Sequence, residues 1–191
     1  MRIIAGEFRS RVILGPEDDQ TTRPITDRVK QSLFDIVTPL LDGAVVYDVF
    51  AGTGSMGLES LSRGARRAVF FEADRSALVR LKKNVGSLGV GERSQVVAGD
   101  LFKYFASAPV PDSAELAALI FLDPPYRFLH EQPERLRSLA ERLAAHLSAE
   151  GLIVFRHDAG DALALPALEV ADARTYGGMS IEFLRPARSM R

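Results

Sequence analysis

The chain of 191 residues has no cysteine. That excludes a disulfide framework and any metal site built on thiolates. Histidine is nearly as scarce. His130, His146 and His157 stand too far apart for ligand spacing, so no structural metal is expected. No apolar run approaches the roughly 18 residues of a membrane span. The opening Met1-Arg2-Ile3-Ile4-Ala5-Gly6-Glu7 is too short an apolar stretch for a secretory signal. Together these absences predict a soluble cytoplasmic protein with no membrane partner. An excess of one charge is missing too. The formal net charge of −1 argues against a protein that coats nucleic acid indiscriminately. It leaves room for a local basic patch, and Arg9, Arg11, Arg23, Arg28 and Lys30 do cluster early, interrupted by Glu17-Asp18-Asp19.

What is present is an ordinary globular composition, 47% hydrophobic and 26% charged, in a chain long enough for one good core. Residues 2–14 read as a β-hairpin around Gly6–Arg11. A polar stretch, Gly15 to Thr22, follows. Thr26-Asp27 then opens a helix, with Pro24 just outside it and Val29, Leu33, Phe34, Ile36 and Val37 as its apolar face. Pro39 and Gly43 end that helix, so residues 1–43 form a small appendage rather than a full domain. From Ala44 to Arg191 the pattern is βαβα. Strands are predicted at Val45–Phe50, Arg67–Phe71, Gln95–Ala98, Leu116–Leu122 and Gly151–Phe155. Helices are predicted from the turn after Phe50 to about Ser62, at Ser76–Leu88 and at Pro133–Leu147. Two further strand-like runs, near Ala167–Tyr176 and Ser180–Leu184, flank a Gly177-Gly178 hairpin turn. Alternation of this kind implies an α/β fold, a mostly parallel sheet covered on both faces, with one antiparallel strand at the end.

Two motifs carry chemistry. The first is Asp48-Val49-Phe50-Ala51-Gly52-Thr53-Gly54-Ser55-Met56-Gly57, which follows the first strand of the sheet and opens a helix. Gly52, Gly54 and Gly57 match G-x-G-x-x-G, and Glu72 ends the next strand about twenty residues on, where a carboxylate holds ribose hydroxyls. Glycines needed only for a tight turn would look similar, but the full strand–turn–helix–acid context favours a nucleotide-like ligand. A dinucleotide would place its pyrophosphate at the helix N-terminus, where the nearby Asp48 is unwelcome. Asp48 suits instead a ligand with an amino group and a sulfonium, which S-adenosylmethionine has. Asp100, after the third strand, is placed to accept from an adenine amine while also capping the helix that begins at Leu101.

The second motif is Asp123-Pro124-Pro125-Tyr126, at the C-terminal end of the fourth strand, the edge where open α/β sheets bind ligands. A nucleobase amine is a poor nucleophile because its lone pair is delocalised into the ring. A carboxylate and a proline carbonyl can accept from its two N–H groups and hold it for in-line attack. The prolines stiffen the chain and remove donors, so the local carbonyls are expected to be free, and Tyr126 can stack on the base, worth about 1–3 kcal/mol. Positioning supplies much of the rate in such transfers.

With these residues in view, the chain resembles class I amino-methyltransferases. Arg2-Ile3-Ile4-Ala5-Gly6, Phe8-Arg9-Ser10-Arg11 and Arg23-Pro24-Ile25-Thr26-Asp27-Arg28-Val29-Lys30 resemble, more narrowly, the bacterial 16S rRNA guanine-N2 methyltransferase family. The resemblance covers nearly the whole chain. It implies a Rossmann-like seven-stranded methyltransferase sheet and S-adenosylmethionine as donor, S-adenosylhomocysteine being its product. It also implies as target the N2 amine of a guanine at position 966 of 16S rRNA, free or within an assembled small ribosomal subunit. By that resemblance Gly52, Thr53 and Gly54 line the methionine part of the donor, and Asp48, Phe50 and Ala51 also belong to the cofactor site. Glu72 with Ala73 holds the ribose, and Asp100 with Leu101 sits by the adenine. Asp123, Pro124, Pro125 and Tyr126 hold the guanine. The family accepts Tyr or Phe at the fourth motif position, so stacking is the role expected of Tyr126. Arg9, Arg11, Arg23 and Arg28 are expected phosphate contacts beside the site, and the guanine is expected to be splayed from its stack. The same tetrapeptide occurs in DNA adenine-N6 methyltransferases, although this chain has no room for a separate base-reading domain. A dinucleotide-dependent oxidoreductase is a second alternative, opposed by Asp48, and a catalytically silent RNA-binding module a third, opposed by the intact tetrapeptide.

Overall fold

The computed structural model describes residues 1–16 and 25–187. Most of the polar stretch after Gly15, with Arg23 and Pro24, lies outside them. Among the described residues, seven strands form one sheet in the order β3-β2-β1-β4-β5-β7-β6. The strands are β1 (Val45–Val49), β2 (Arg67–Glu72), β3 (Ser94–Ala98), β4 (Ala117–Leu122), β5 (Leu147–Asp158), β6 (Leu168–Tyr176) and β7 (Met179–Pro186). β1 to β5 pair in parallel, and β7 runs antiparallel to both its neighbours. Chain order reverses between β1 and β4, so the crevice between them is the switch point where such sheets bind ligands.

Helices cover both faces, because successive strand residues point to opposite sides. Val46, Phe70, Leu119, Phe121, Val154 and Phe183 pack with α1 (Asp27–Val37), α2 (Ser55–Ser62) and α3 (Arg75–Leu88). Val45, Tyr47, Val49, Phe71, Ile120, Leu122, Ile153 and Phe155 pack on the other face with α4 (Leu101–Ser107), the single turn α5 (Phe128–Glu131) and α6 (Pro133–Ala145). The helix starts follow local chemistry. Thr26 accepts from the Val29 amide, Asp74 from Ala77, and Asp100 from Phe102 and Lys103, each satisfying amides that the helix itself leaves unpaired.

The N-terminal hairpin is reduced to a single antiparallel bridge, Arg2 to Val12, flanked by bonds from Ile3 to Arg11 and from Ile13 to Met1. Two left-handed residues, Gly6 (φ 82°) and Ser10 (φ 67°), turn the chain too sharply for longer strands. Gly6 also lies so close to α2 that a Cβ there would stand 1.8 Å from the Ser62 carbonyl oxygen. Ile3 and Ile13 are buried in the same core as Leu33 and Phe34. A polar knot ties this segment down. The fully buried Glu59 carboxylate accepts from the amides of Ile4 (2.8 Å) and Ala5 (3.0 Å) and pairs with Lys30 (3.0 Å) and Arg63 (2.8 Å). Burial pushes Glu59 up, but Lys30 and the Ile4 amide outweigh it and hold the carboxyl below its usual range. Lys30, grouped in the sequence with the basic cluster, is thus a buried structural cation.

At the other end of the fold, Leu147 belongs to β5 rather than to the preceding helix. It continues the helical spacing of Leu139 and Leu143, yet the Ala117 amide bonds the His146 carbonyl and draws the next residue into the sheet beside Ala117. The pairing then skips to Leu119 with Leu152. Gly151 allows this bulge, since a Cβ there would sit 2.9 Å from the Ala117 carbonyl oxygen. No helix among the described residues is long and apolar enough to cross a membrane.

Candidate active site

Val49 pairs with Leu122 across β1 and β4, so the residues that follow leave the sheet side by side. This register brings the glycine turn against the tetrapeptide at one edge. Phe50 makes the turn with φ 64°, a left-handed conformation that costs a side-chain-bearing residue about 1–2 kcal/mol. Its ring is held by edge contacts with Phe102 and Phe128, both at 5.9 Å between centroids. Gly52 (φ 55°) has nothing within 4 Å of where a Cβ would be, so its backbone faces open space. Gly57 serves packing, because a Cβ there would meet the Phe70 ring at 2.3 Å. Ala51 is buried. Thr53 is buried as well, its carbonyl accepting from Asn84 (2.9 Å) and its hydroxyl 4.0 Å from the Met1 sulfur.

Carboxyl groups surround this turn. Asp48 is 2% exposed and accepts from the Gly57 amide at 2.8 Å. Burial pushes its carboxyl up to about 7, and the neighbouring Asp123 and Glu72 charges push the same way, against the Gly57 bond and Lys30. Near neutral pH it is therefore poised between acid and anion, and a cation placed beside it would complete its ionisation. Glu72 accepts from the amides of Gly52 (2.6 Å), Ala73 (2.8 Å) and Asp74 (2.7 Å). These bonds bind the end of β2 to the glycine turn and leave one lone pair, on the oxygen that Gly52 meets, for a hydroxyl donor. Asp100 caps α4 and also pairs with Arg135 at 3.2 Å. Burial opposes its ionisation, but the Lys103 and Phe102 amides and the Arg135 guanidinium hold its carboxyl below the usual range. Arg135 lies 4.1 Å from the centre of the Phe102 ring. The Leu101 side chain is buried in the core, and Ala73 is exposed at the rim.

In the tetrapeptide, Pro124 is buried and Tyr126 half-buried. The carbonyls of Pro125 and Tyr126 accept from Phe128 (2.8 Å) and Leu129 (3.1 Å), closing the turn into α5. Each thus commits a lone pair to the turn, contrary to the expectation that the local carbonyls are free. Among the described residues no donor reaches the Pro124 carbonyl. The Asp123 carboxylate meets the guanidinium of Arg156 on β5, Nε to Oδ1 at 2.7 Å and Nη2 to Oδ2 at 2.5 Å.

The arginines divide. Arg28 is exposed near the start of α1, the end at which Lys30 reaches Ser55 at the start of α2 (3.2 Å), so it lies on the site's edge of the fold. Arg9 and Arg11 do not lie beside the tetrapeptide. Arg11 donates to the Ser87 carbonyl at the C-terminal end of α3 (2.9 Å), and the nearby Glu7 amide bonds Ser62 at the end of α2. They stand roughly a helix length, ~20 Å, from the glycine turn. The hairpin runs down the helices, and its tip carries both arginines away from the site. Arg23 lies outside the described residues. Arg135, Arg156, Phe102 and Phe128 were not picked out by sequence reasoning. Only Phe102 and Phe128 had a sequence signal, their closeness to Asp100 and to the tetrapeptide. No three His, Asp or Glu side chains group as metal ligands among the described residues.

Known proteins resemble the chain over most of its length. The family described as conserved hypothetical protein 95 matches residues 1–185. The YlbH protein of Bacillus subtilis (strain 168) is 33% identical over 83% of each chain. The ribosomal RNA small subunit methyltransferase D of Escherichia coli (strain K12) is 38% identical over 66% of this chain and 61% of its own length. The solved structure of the yhhF protein of Escherichia coli superposes with a TM-score of 0.80 at 29% identity, over 97% of each chain. The fold is the Rossmann-like class I methyltransferase fold. The chain belongs to the conserved hypothetical protein 95 family, together with its ribosomal RNA small subunit methyltransferase D relatives.

Proposed function

We propose that the protein transfers a methyl group from S-adenosylmethionine to the exocyclic N2 of a guanine in 16S rRNA. The observation that carries this reading is the meeting, at one sheet edge, of the glycine turn with Glu72 and Asp48 and of Asp123 with the open Pro124 carbonyl. The residues fit the donor. Gly52 offers backbone with room beside it, flanked by Phe50, Ala51, Thr53 and Gly54. Asp48 gains a cationic partner, which offsets the cost of its burial. Glu72, beside Ala73, takes a ribose hydroxyl on its remaining lone pair. Asp100 and the Phe50–Phe102–Phe128 rings, with Leu101 packed beneath, border the adenine. When bound, S-adenosylmethionine supplies an electrophilic methyl on a sulfonium.

On the acceptor side, Asp123 and the Pro124 carbonyl each accept from the guanine amine and orient its lone pair. Their negative ends face the positive charge that develops on nitrogen. Tyr126 stacks on the base, and Pro125 keeps the turn stiff. The names of the relatives support ribosomal RNA as the substrate class, and with it a cytoplasmic location. Arg28 marks the edge where the first 43 residues would meet RNA, with the small subunit or its precursor as the partner. Methyl transfer from labelled S-adenosylmethionine tests the reading, with unmodified 16S rRNA, small subunits and duplex DNA as acceptors. Label on guanine N2 of rRNA is expected, and label on DNA alone overturns it.

A further inference from the structure

The Asp123–Arg156 pair is built by the sheet. β4 and β5 are parallel and in register, with Leu122 beside Phe155. The next residues, Asp123 and Arg156, therefore emerge on the same face, side by side. Two N–H donors of one guanidinium meet both oxygens of one carboxylate, with side chains only 14% and 25% exposed. Burial would push the Arg156 guanidinium down, but the Asp123 carboxylate more than offsets it. Asp48 and Tyr126 also lie within its electrostatic reach. A planar fork of this kind fixes the carboxylate in torsion as well as in place, which a lysine point charge does not do.

The fork has a consequence for the acceptor. A carboxylate has about four lone-pair directions. The guanidinium takes one on each oxygen, leaving one on either flank. An amine entering from the glycine-turn side meets a single flank, so Asp123 can take only one of its two N–H groups there. The second N–H is left to the Pro124 carbonyl, which no described donor occupies. One acceptor for each hydrogen defines the direction of the nitrogen lone pair.

We propose that Arg156 is the positioning residue of methyl transfer, acting through Asp123 to fix that direction. This rests on the reading that the protein methylates a nucleobase amine. The pair of donors on one carboxylate separates it from a phosphate-binding arginine, which would turn its fork outward to the RNA.

The test is a double-variant cycle on the full chain, with 16S rRNA or small subunits as acceptor and S-adenosylmethionine as donor. Arg156→Lys keeps the charge and loses the fork. It is expected to lower kcat about 10- to 100-fold, the scale on which a misplacement near 1 Å acts. The KM for RNA and the donor Kd should change less than about twofold. Asp123→Asn keeps one acceptor oxygen but cannot accept a fork on both atoms. In that background Arg156→Lys is expected to change kcat by less than about twofold, because residues acting as one unit are not additive. Wild-type kcat in Arg156→Lys overturns the proposal, as does a defect confined to the KM for RNA or a double variant whose losses multiply. If Arg156→Lys fails to bind donor or to unfold cooperatively, Arg156→Gln is judged by the same three outcomes. Absence of transfer by the wild-type chain would instead defeat the functional reading itself.

Discussion

Replacing Asp48 by Asn separates stability from donor binding, and the structure sets the scale. The carboxyl is 2% exposed and rises from 3.8 to about 7 on folding. At about 1.4 kcal/mol per pKa unit, its ionised form costs the folded state about 4 kcal/mol. The sign follows from the raised folded value. The contribution is fully present below the unfolded pKa and is lost as pH rises through about 7. Asn keeps an oxygen for the Gly57 amide and removes the titration. Thermal unfolding from pH 5 to 9 should show the smaller difference near pH 5, where roughly a third of the loss has accrued. At pH 8.5 the variant should melt about 5–10 °C higher, part of the full gain being lost to the buried Asn N–H2 group. Calorimetry should show the reverse for function, with S-adenosylmethionine bound tenfold or more less tightly by the variant at pH 8.5. For the wild type, binding near pH 7 should release a fraction of a proton, detected by comparing buffers of different ionisation enthalpy. Equal melting shifts at pH 5 and 8.5 would refute the claim that Asp48 titrates in this range.

Other expectations concern single contacts. Asp123→Ala should abolish transfer while the donor Kd by calorimetry changes less than about threefold. Glu72→Ala should weaken donor binding about 10- to 100-fold, the scale of hydrogen bonds to a charged group, and an unchanged Kd would remove its ribose role. Glu59→Ala leaves Lys30 and Arg63 without their buried anion and should cost about 3–5 kcal/mol in urea unfolding. Because Glu59 is held below its ordinary range, its contribution is present above about 4.5, and should fade as pH falls further. Gly57→Ala places a methyl into the Phe70 ring and should lower stability by about 1–3 kcal/mol, read as a shift in the urea midpoint.

Much of the fold was legible because its signals are local. The strand runs, the Asp100 cap and the Gly177-Gly178 turn each follow from a few adjacent residues. Glu72 was legible from spacing, since one helix and one strand return the chain to the turn. Other features depend on who stands across the sheet. Arg156 acquires meaning only from the register that sets it beside Asp123, 33 residues earlier. The near-neutral range of Asp48 depends on burial that no spacing reveals. α5 is one turn long, too short for a periodicity, yet it engages two of the tetrapeptide's carbonyls. Leu147 shows the opposite case, a residue whose helical spacing lost to strand pairing. The direction of the first hairpin is set by its contacts with α2 and α3, so the distance of Arg9 and Arg11 from the site could not be read from their place in the chain.

The way that hairpin is anchored also bears on how the protein is made. Its partners lie far downstream. Ile4 and Ala5 wait for Glu59, 55 and 54 residues on, Leu14 for Asn84, 70 on, and Glu7 for Arg93, 86 on. At about 5–20 residues per second, a ribosome needs roughly 3–17 s to supply them. The hairpin is thus synthesised well before the partners it docks on, and Ile3 and Ile13 stay exposed on the nascent chain meanwhile. Docking of the hairpin is therefore a late folding event, one that waits until both helices beneath it have left the ribosome.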